Sequence, residues 1–95
     1  MARKLVTSPT ALRDIMIGVD YYRLQQKGLG KRFEKIVWEH FGEIKKMPQS
    51  ASFSYDNVRY KVVNKFPYII LYEFDDKCIN ILRVFNTHLS PDRLL

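Results

Sequence analysis

The chain has 95 residues, 46% hydrophobic and 27% charged, with a formal net charge of +6. That composition is globular and not disordered, and one domain spanning 1–95 is expected. Cys78 is the only cysteine, so no internal disulfide can form, and the purest apolar run, Tyr68-Ile69-Ile70-Leu71-Tyr72, is far short of the roughly 20 residues of a membrane helix.

In chain order, Arg3 to Thr7 is short and partly β-branched, which predicts one strand. Ser8-Pro9 is a helix start, because serine caps free amides and proline is tolerated in the first turn. Leu12, Ile15, Met16, Val19 and Tyr22 then mark one helical face running to about Gln26. Gly18 within it points to close packing. Gly28-Leu29-Gly30 supplies a tight helix–helix turn. A second helix starts near Lys31 and carries Phe33, Ile36, Val37, His40, Phe41 and Ile44 on one stripe, with Trp38 to its side. Pro48 ends it, and Gln49-Ser50-Ala51-Ser52 reads as a loop.

From there the period changes to two. Val58, Tyr60 and Val62 alternate with Arg59, Lys61 and Val63, as in a half-buried strand. Asn64-Lys65 turns into a strand from Pro67 to Phe74, and Asp75-Asp76-Lys77 turns into another from Cys78 to Phe85. Ser90-Pro91 in the tail blocks simple strand continuation. The expected fold class is α+β: a short N-terminal strand, then a two-helix hairpin packed on an antiparallel sheet with a C-terminal three-strand meander.

The charge is uneven. Residues 1–48 hold ten Lys/Arg against five Asp/Glu, while residues 49–95 hold six against five. Such a balance suits an acidic partner, either nucleic acid or an acidic protein segment. A single cysteine is expected of a reducing compartment, and no sustained apolar stretch follows Met1-Ala2-Arg3-Lys4, so a cytoplasmic location is expected.

Three stretches carry a resemblance to a known family. They are Leu12-Arg13-Asp14 with Val19-Asp20-Tyr21-Tyr22 and Gly28-Leu29-Gly30 before Phe33; Arg59 on a strand leading into Phe66-Pro67-Tyr68 and Tyr72; and Ile79-Asn80-Ile81-Leu82 through Val84-Phe85 to Pro91. In this order the chain resembles the RelE/ParE toxins of bacterial type II toxin–antitoxin systems, nearest the ParE branch. The resemblance implies a toxin that inhibits DNA gyrase by binding and is neutralised by a cognate antitoxin. The alternatives are a RelE-like ribosome-dependent mRNA endonuclease and a decayed toxin that only binds antitoxin. Ribonuclease members have an arginine where this chain has Ile69 and a tail tyrosine, whereas no tyrosine follows Tyr72 here. After the last strand, Asn86-Thr87-His88-Leu89 stands where the family commonly shows histidine and paired arginines. Gly18 replaces the family's usual alanine.

Other chemistry finds no motif. His40, Cys78 and His88 are separated singletons, unlike the four-ligand sets of zinc sites, so neither metal nor other cofactor is expected. His40 reads as a satisfied core-edge histidine, and no small-molecule or membrane partner is indicated. No catalytic residue is named. Candidate target-binding residues are Arg59, Lys61 and Arg83, strand cations without an acid beside them in sequence, together with the imidazole of His88. As surface groups, the three cations are expected to affect folding by only about 0.5 kcal/mol each. Tyr21 and Trp38 are candidate antitoxin-binding anchors, since large aromatics dominate binding hot spots. Plain core packing is the competing role for the aromatics, and a solvated strand face for the cations.

Overall fold

The computed structural model describes residues 3–88; the tail positions Leu89, Ser90 and Pro91 lie outside them. The elements are β1 (Lys4–Thr7), α1 (Pro9–Gln25), α2 (Leu29–Lys46), a 3-10 turn (Pro48–Ser50), β2 (Ser52–Tyr55), β3 (Val58–Val62), β4 (Tyr68–Phe74) and β5 (Cys78–Asn86). The sheet has the order β1-β5-β4-β3-β2. The meander β3-β4-β5 is antiparallel as expected, but β1 lies parallel to β5, with Leu5 opposite Ile79 and Thr7 opposite Ile81. The sheet is therefore mixed, with both helices between its two parallel strands in sequence.

Local chemistry sets the helix ends. Ser8 Oγ accepts a hydrogen bond from the Ala11 amide at 3.0 Å and donates to the Leu82 carbonyl at 2.9 Å, so the cap of α1 is also its anchor to β5. Gly28 takes a left-handed φ of +82°, which lets the chain reverse between the helices. Gly30 has a different purpose. A Cβ there would lie 2.6 Å from the Val19 carbonyl oxygen, so only glycine permits the observed crossing of α1 and α2. At Gly18 a Cβ would meet the Phe33 ring at 2.6 Å, which confirms close packing at that position.

The core lies between the hairpin and one sheet face. Helix α2 contributes Phe33, Val37, Phe41 and Ile44, and the sheet contributes Ile70, Tyr72, Ile79, Ile81 and Val84. The α2 stripe agrees with its sequence pattern. Helix α1 does not: it buries Ala11, Ile15 and Gly18, with Val19 and Tyr22 only partly covered. Leu12 and Met16, expected inside, are 43% and 67% exposed. The small residues win the buried face because the helices cross too closely there for larger ones.

Two strand expectations also change. Residues Ser52–Tyr55 form β2, an exposed edge strand that pairs with β3 through a bulge. Ser52 thus belongs to a strand and not to the loop. On β3, Arg59 stands directly opposite Tyr72, and Lys61 opposite Ile70. Directly paired residues share a face, so Arg59 and Lys61 lie on the helix side while Val62 is 63% exposed. The long cations suit that position near the sheet edge, since their stems can cover apolar surface while their charged ends reach polar partners.

Candidate functional site

The four target-binding candidates are not gathered into one patch. Arg59 Nη1 donates to the carbonyls of Gln49 at 3.1 Å and Ala51 at 2.6 Å. Its guanidinium also lies 4.0 Å over the Phe53 ring and 5.5 Å over Phe74, where Arg3 stacks as well. This side chain ties the 3-10 turn and β2 to the sheet. Lys61 Nζ is 3.0 Å from Glu43 Oε1 on α2. Glu43 also meets His40 Nδ1 at 3.1 Å, and Lys61, then His40, hold its carboxyl below the usual carboxylate range. His40 Nε2 accepts the Asn64 amide at 2.9 Å. The ring therefore bridges α2 and the β3–β4 turn, a satisfied core-edge histidine.

Arg83 stands opposite Leu71, on the sheet face away from Arg59 and Lys61. It forms a forked pair with Asp14 of α1, Nε to Oδ2 at 2.7 Å and Nη2 to Oδ1 at 3.1 Å. The same carboxylate accepts the Val84 amide at 3.0 Å. β1 pairs with β5 only as far as Ile81, so Asp14 occupies the place of a missing strand neighbour. The Asp14 carboxylate raises the Arg83 pKa further. All three cations are thus partnered, Lys61 and Arg83 by acids and Arg59 by backbone carbonyls and aromatic rings, which corrects the expectation that they are unpaired surface groups. Sequence distance hid the pairing, because Asp14 is 69 residues from Arg83. His88 is exposed, with its amide bonded to Asn86 Oδ1 at 2.8 Å.

Tyr21 and Trp38 are both exposed, at 54% and 45%. They sit on different helices, Tyr21 edge-on to Tyr22 and Trp38 edge-on to Phe41. Phe66 and Tyr68, by contrast, join Tyr22 and Phe33 in an aromatic cluster that closes one end of the core. Burial pushes the Tyr68 hydroxyl up to about 12. Tyr72 donates its buried hydroxyl to the Pro48 carbonyl at 2.6 Å.

On the sheet face away from the helices, Ile69 is half-buried opposite Val62 and Phe85. Its neighbours Tyr60, Leu71 and Phe85 are apolar or aromatic, and the nearby cation Arg83 is neutralised by Asp14. A separate groove of about 270 Å³, lined by Asp14, Ile17, Tyr68, Arg83, Val84 and Asn86, lies where α1 meets the ends of β4 and β5. Among the described residues no three His, Cys, Asp or Glu side chains come together as a metal site. Among the described residues, the side-chain hydrogen bonds of Arg83 run to Asp14, whose carboxylate also accepts the Val84 amide.

Sequence reasoning missed part of the exposed apolar surface. Ile17 and Leu24 of α1 are 61% and 78% exposed, close in sequence to Tyr21. The signal was present as a surplus: α1 carries apolar residues around more of its circumference than one buried stripe needs.

No family model matches the chain, and no curated protein matches its sequence. Among solved structures it is similar to a chain of the chromosomal ParDE TA system from P. aeruginosa. The TM-score is 0.78 at 19% sequence identity, covering 90% of this chain and 96% of the other, so the two share one fold from end to end.

Proposed function

We propose that this protein is the toxin of a type II toxin–antitoxin pair of the ParE kind, acting on DNA gyrase by binding and silenced by a cognate antitoxin. The observation that carries the reading is the end-to-end fold likeness to a chain of a ParDE system. Sequence motifs nearest the ParE branch support it independently. The apolar setting of Ile69 weighs against the RelE-like endonuclease, because cleavage of a phosphodiester needs positioned cations and proton-transfer groups, each contributing 10² or more.

The antitoxin is proposed to cover the outward side of the helical hairpin, with Tyr21 and Trp38 as anchors and Ile17 and Leu24 extending the apolar surface. Exposed apolar patches of this kind mark interaction sites. Target contact is proposed at the β5 end, near Arg83 and His88; Arg59 and Lys61 contribute to it chiefly by holding the sheet edge in shape. No helix among the described residues is long and apolar enough to cross a membrane, in keeping with action in the cytoplasm.

The test is supercoiling by purified gyrase in the presence of the purified chain, with growth followed on induction in a bacterium. Inhibition and growth arrest are expected, both relieved by the product of the adjacent reading frame. Normal growth at high soluble expression would favour a toxin that has lost activity. New transcript ends at ribosomal A-site codons would favour the endonuclease.

A further inference from the structure

Helix α2 carries a glycine that the fold itself does not require. At Gly30 and Gly18 a Cβ would meet neighbouring atoms at 2.6 Å, whereas at Gly42 it would meet nothing within 4 Å. Gly42 lies in the interior of α2 and is exposed, where glycine is the poorest helix former after proline. The residues around it share one property. Lys31, Lys35, Trp38, Gly42 and Lys46 follow at spacings of four, three, four and four, which places them on one helical face. All five are exposed, directly behind the buried Phe33, Val37, Phe41 and Ile44. None of the three lysines enters a salt bridge with a described acid. Lys45 borders the stripe on one side and Glu39 on the other.

We propose that this stripe is a docking face for the phosphate backbone of duplex DNA. The lysines run over about 22 Å of a straight helix, longer than the roughly 12 Å width of the major groove, so ammonium groups at the two ends reach phosphates on both sides of a groove. Lysine acts as a point charge toward phosphate and needs no fixed geometry. Gly42, with no side chain, lets a phosphate approach the helix backbone between Lys35 and Lys46. An acidic protein helix fits less well: protein interfaces bury an apolar centre depleted in charge, and Trp38 is the one apolar residue of this stripe. A single strand also fits less well, because it needs several aromatic platforms to stack on. The proposal shares Trp38 with the antitoxin assignment but does not rest on it: charge and spacing in α2 carry it, and an antitoxin seated on Trp38 would compete with duplex for the stripe.

The experiment is titration of the purified full chain with a duplex of arbitrary sequence, several helical turns long, over a range of salt. Trp38 is the only tryptophan, so its fluorescence reports occupancy of the stripe directly. Binding should weaken with salt, with a slope of about −0.9 in log K against log salt for each phosphate contacted. The triple variant Lys31→Gln/Lys35→Gln/Lys46→Gln should flatten that slope by about 3. Gly42→Gln should raise Tm by about 4 °C yet weaken the duplex about tenfold, an opposition that a merely structural glycine would not give. Lys65→Asn/Lys77→Gln, in the strand turns, should bind as the natural chain does. Salt-independent or absent duplex binding, loss of binding in the turn variant equal to that in the triple variant, tighter binding of a single-stranded RNA, or Trp38 quenching by an acidic helical peptide but not by duplex would each overturn the proposal.

Discussion

The two helices are nearly equal in length, 17 and 18 residues, but their sequences solve different problems. Helix α2 concentrates Phe33, Val37, Phe41 and Ile44 on the side that meets the sheet and leaves its far side to lysine, glutamate, glycine and one tryptophan. Apart from Trp38, its apolar content is consumed by this molecule. Helix α1 buries small residues, Ala11 and Gly18, around Ile15, and turns Leu12, Met16, Ile17, Tyr21 and Leu24 outward. A helix that spends bulk outward and smallness inward is shaped by two neighbours: α2, which needs closeness, and something else, which needs contact area. The contrast can be broken in four places.

Phe33→Ala should be the most damaging change. Phe33 is fully buried against Tyr22, Phe66 and Tyr68, and its ring fills the space that Gly18 leaves open. A loss of about 3–5 kcal/mol is expected, a large share of the 5–15 kcal/mol typical of a domain. Chemical denaturation would measure it, with the restoring variant Phe33→Leu expected to lose less. A Phe33→Ala loss below about 1 kcal/mol would mean that the two helices do not meet as described.

Asp14→Ala comes next. It removes the forked partner of Arg83 and leaves the Val84 amide without its acceptor. Arg83 remains about a third exposed, so solvent recovers part of the charge and about 2 kcal/mol is expected. In the double variant with Arg83→Met the loss should shrink, because the unpaired cation is gone. Strict additivity of the two single losses would show that the pair is not coupled.

Tyr68 tests the aromatic end of the core by pH. Its hydroxyl is pushed up to about 12, chiefly by burial and then by neighbouring Tyr22. The unfolded chain releases this proton near the ordinary tyrosine value of about 10, so the folded state binds the proton more tightly. The stabilising difference is fully present below about pH 10 and is lost as pH rises toward about 12. Tyr22 and Tyr72 are also raised by burial, so spectrophotometric titration should show several late phenols, the latest of them absent in Tyr68→Phe. A Tyr68 that ionises near the ordinary tyrosine value of about 10 would show that the cluster is open to water.

The parts legible in sequence were those fixed by local rules. Ser8-Pro9, Gly28 and Pro48 marked helix ends through backbone chemistry, and the α2 stripe followed from period alone. The β4 and β5 strands were legible because they are apolar and bounded by Asn64-Lys65 and Asp75-Asp76-Lys77. What was hidden depends on distant neighbours. The buried face of α1 is chosen by Gly30 pressing on the Val19 carbonyl, and hydrophobicity does not register small residues as core. Val58, Tyr60 and Val62 alternated correctly, but alternation does not say which set faces the helices; Val63 and the partners of Arg59 and Lys61 decided it. β2 was hidden because Ser52-Phe53-Ser54-Tyr55 is exposed throughout and pairs on one side only. Arg59, Lys61 and Arg83 looked available because their partners Gln49, Ala51, Glu43 and Asp14 come from other elements.

The smallest effect on folding should come from the surface proposed to matter most for partnership. Ile17→Ser and Leu24→Ser remove apolar groups that are already 61% and 78% in water, so little burial is lost in the isolated chain. Each should change stability by no more than about 0.5 kcal/mol, and serine's slightly lower helix propensity accounts for most of that. Capture by the antitoxin is another matter. If these side chains enter its interface, each leaves a contact area unfilled, and truncations at the centre of an interface cost about 2 kcal/mol or more, roughly 30-fold in Kd. Melting and antitoxin affinity, measured together for Ile17→Ser, Leu24→Ser and Trp38→Ala, separate the two helices. Loss of affinity confined to the α1 variants would make α1 the partner's helix and leave the α2 stripe to other uses. Loss confined to Trp38→Ala would reverse the assignment and place the antitoxin on α2. Unchanged affinity in all three would remove the hairpin as the docking surface and move the search to the exposed edge strand β2, where Phe53 and Tyr55 are the outward aromatics.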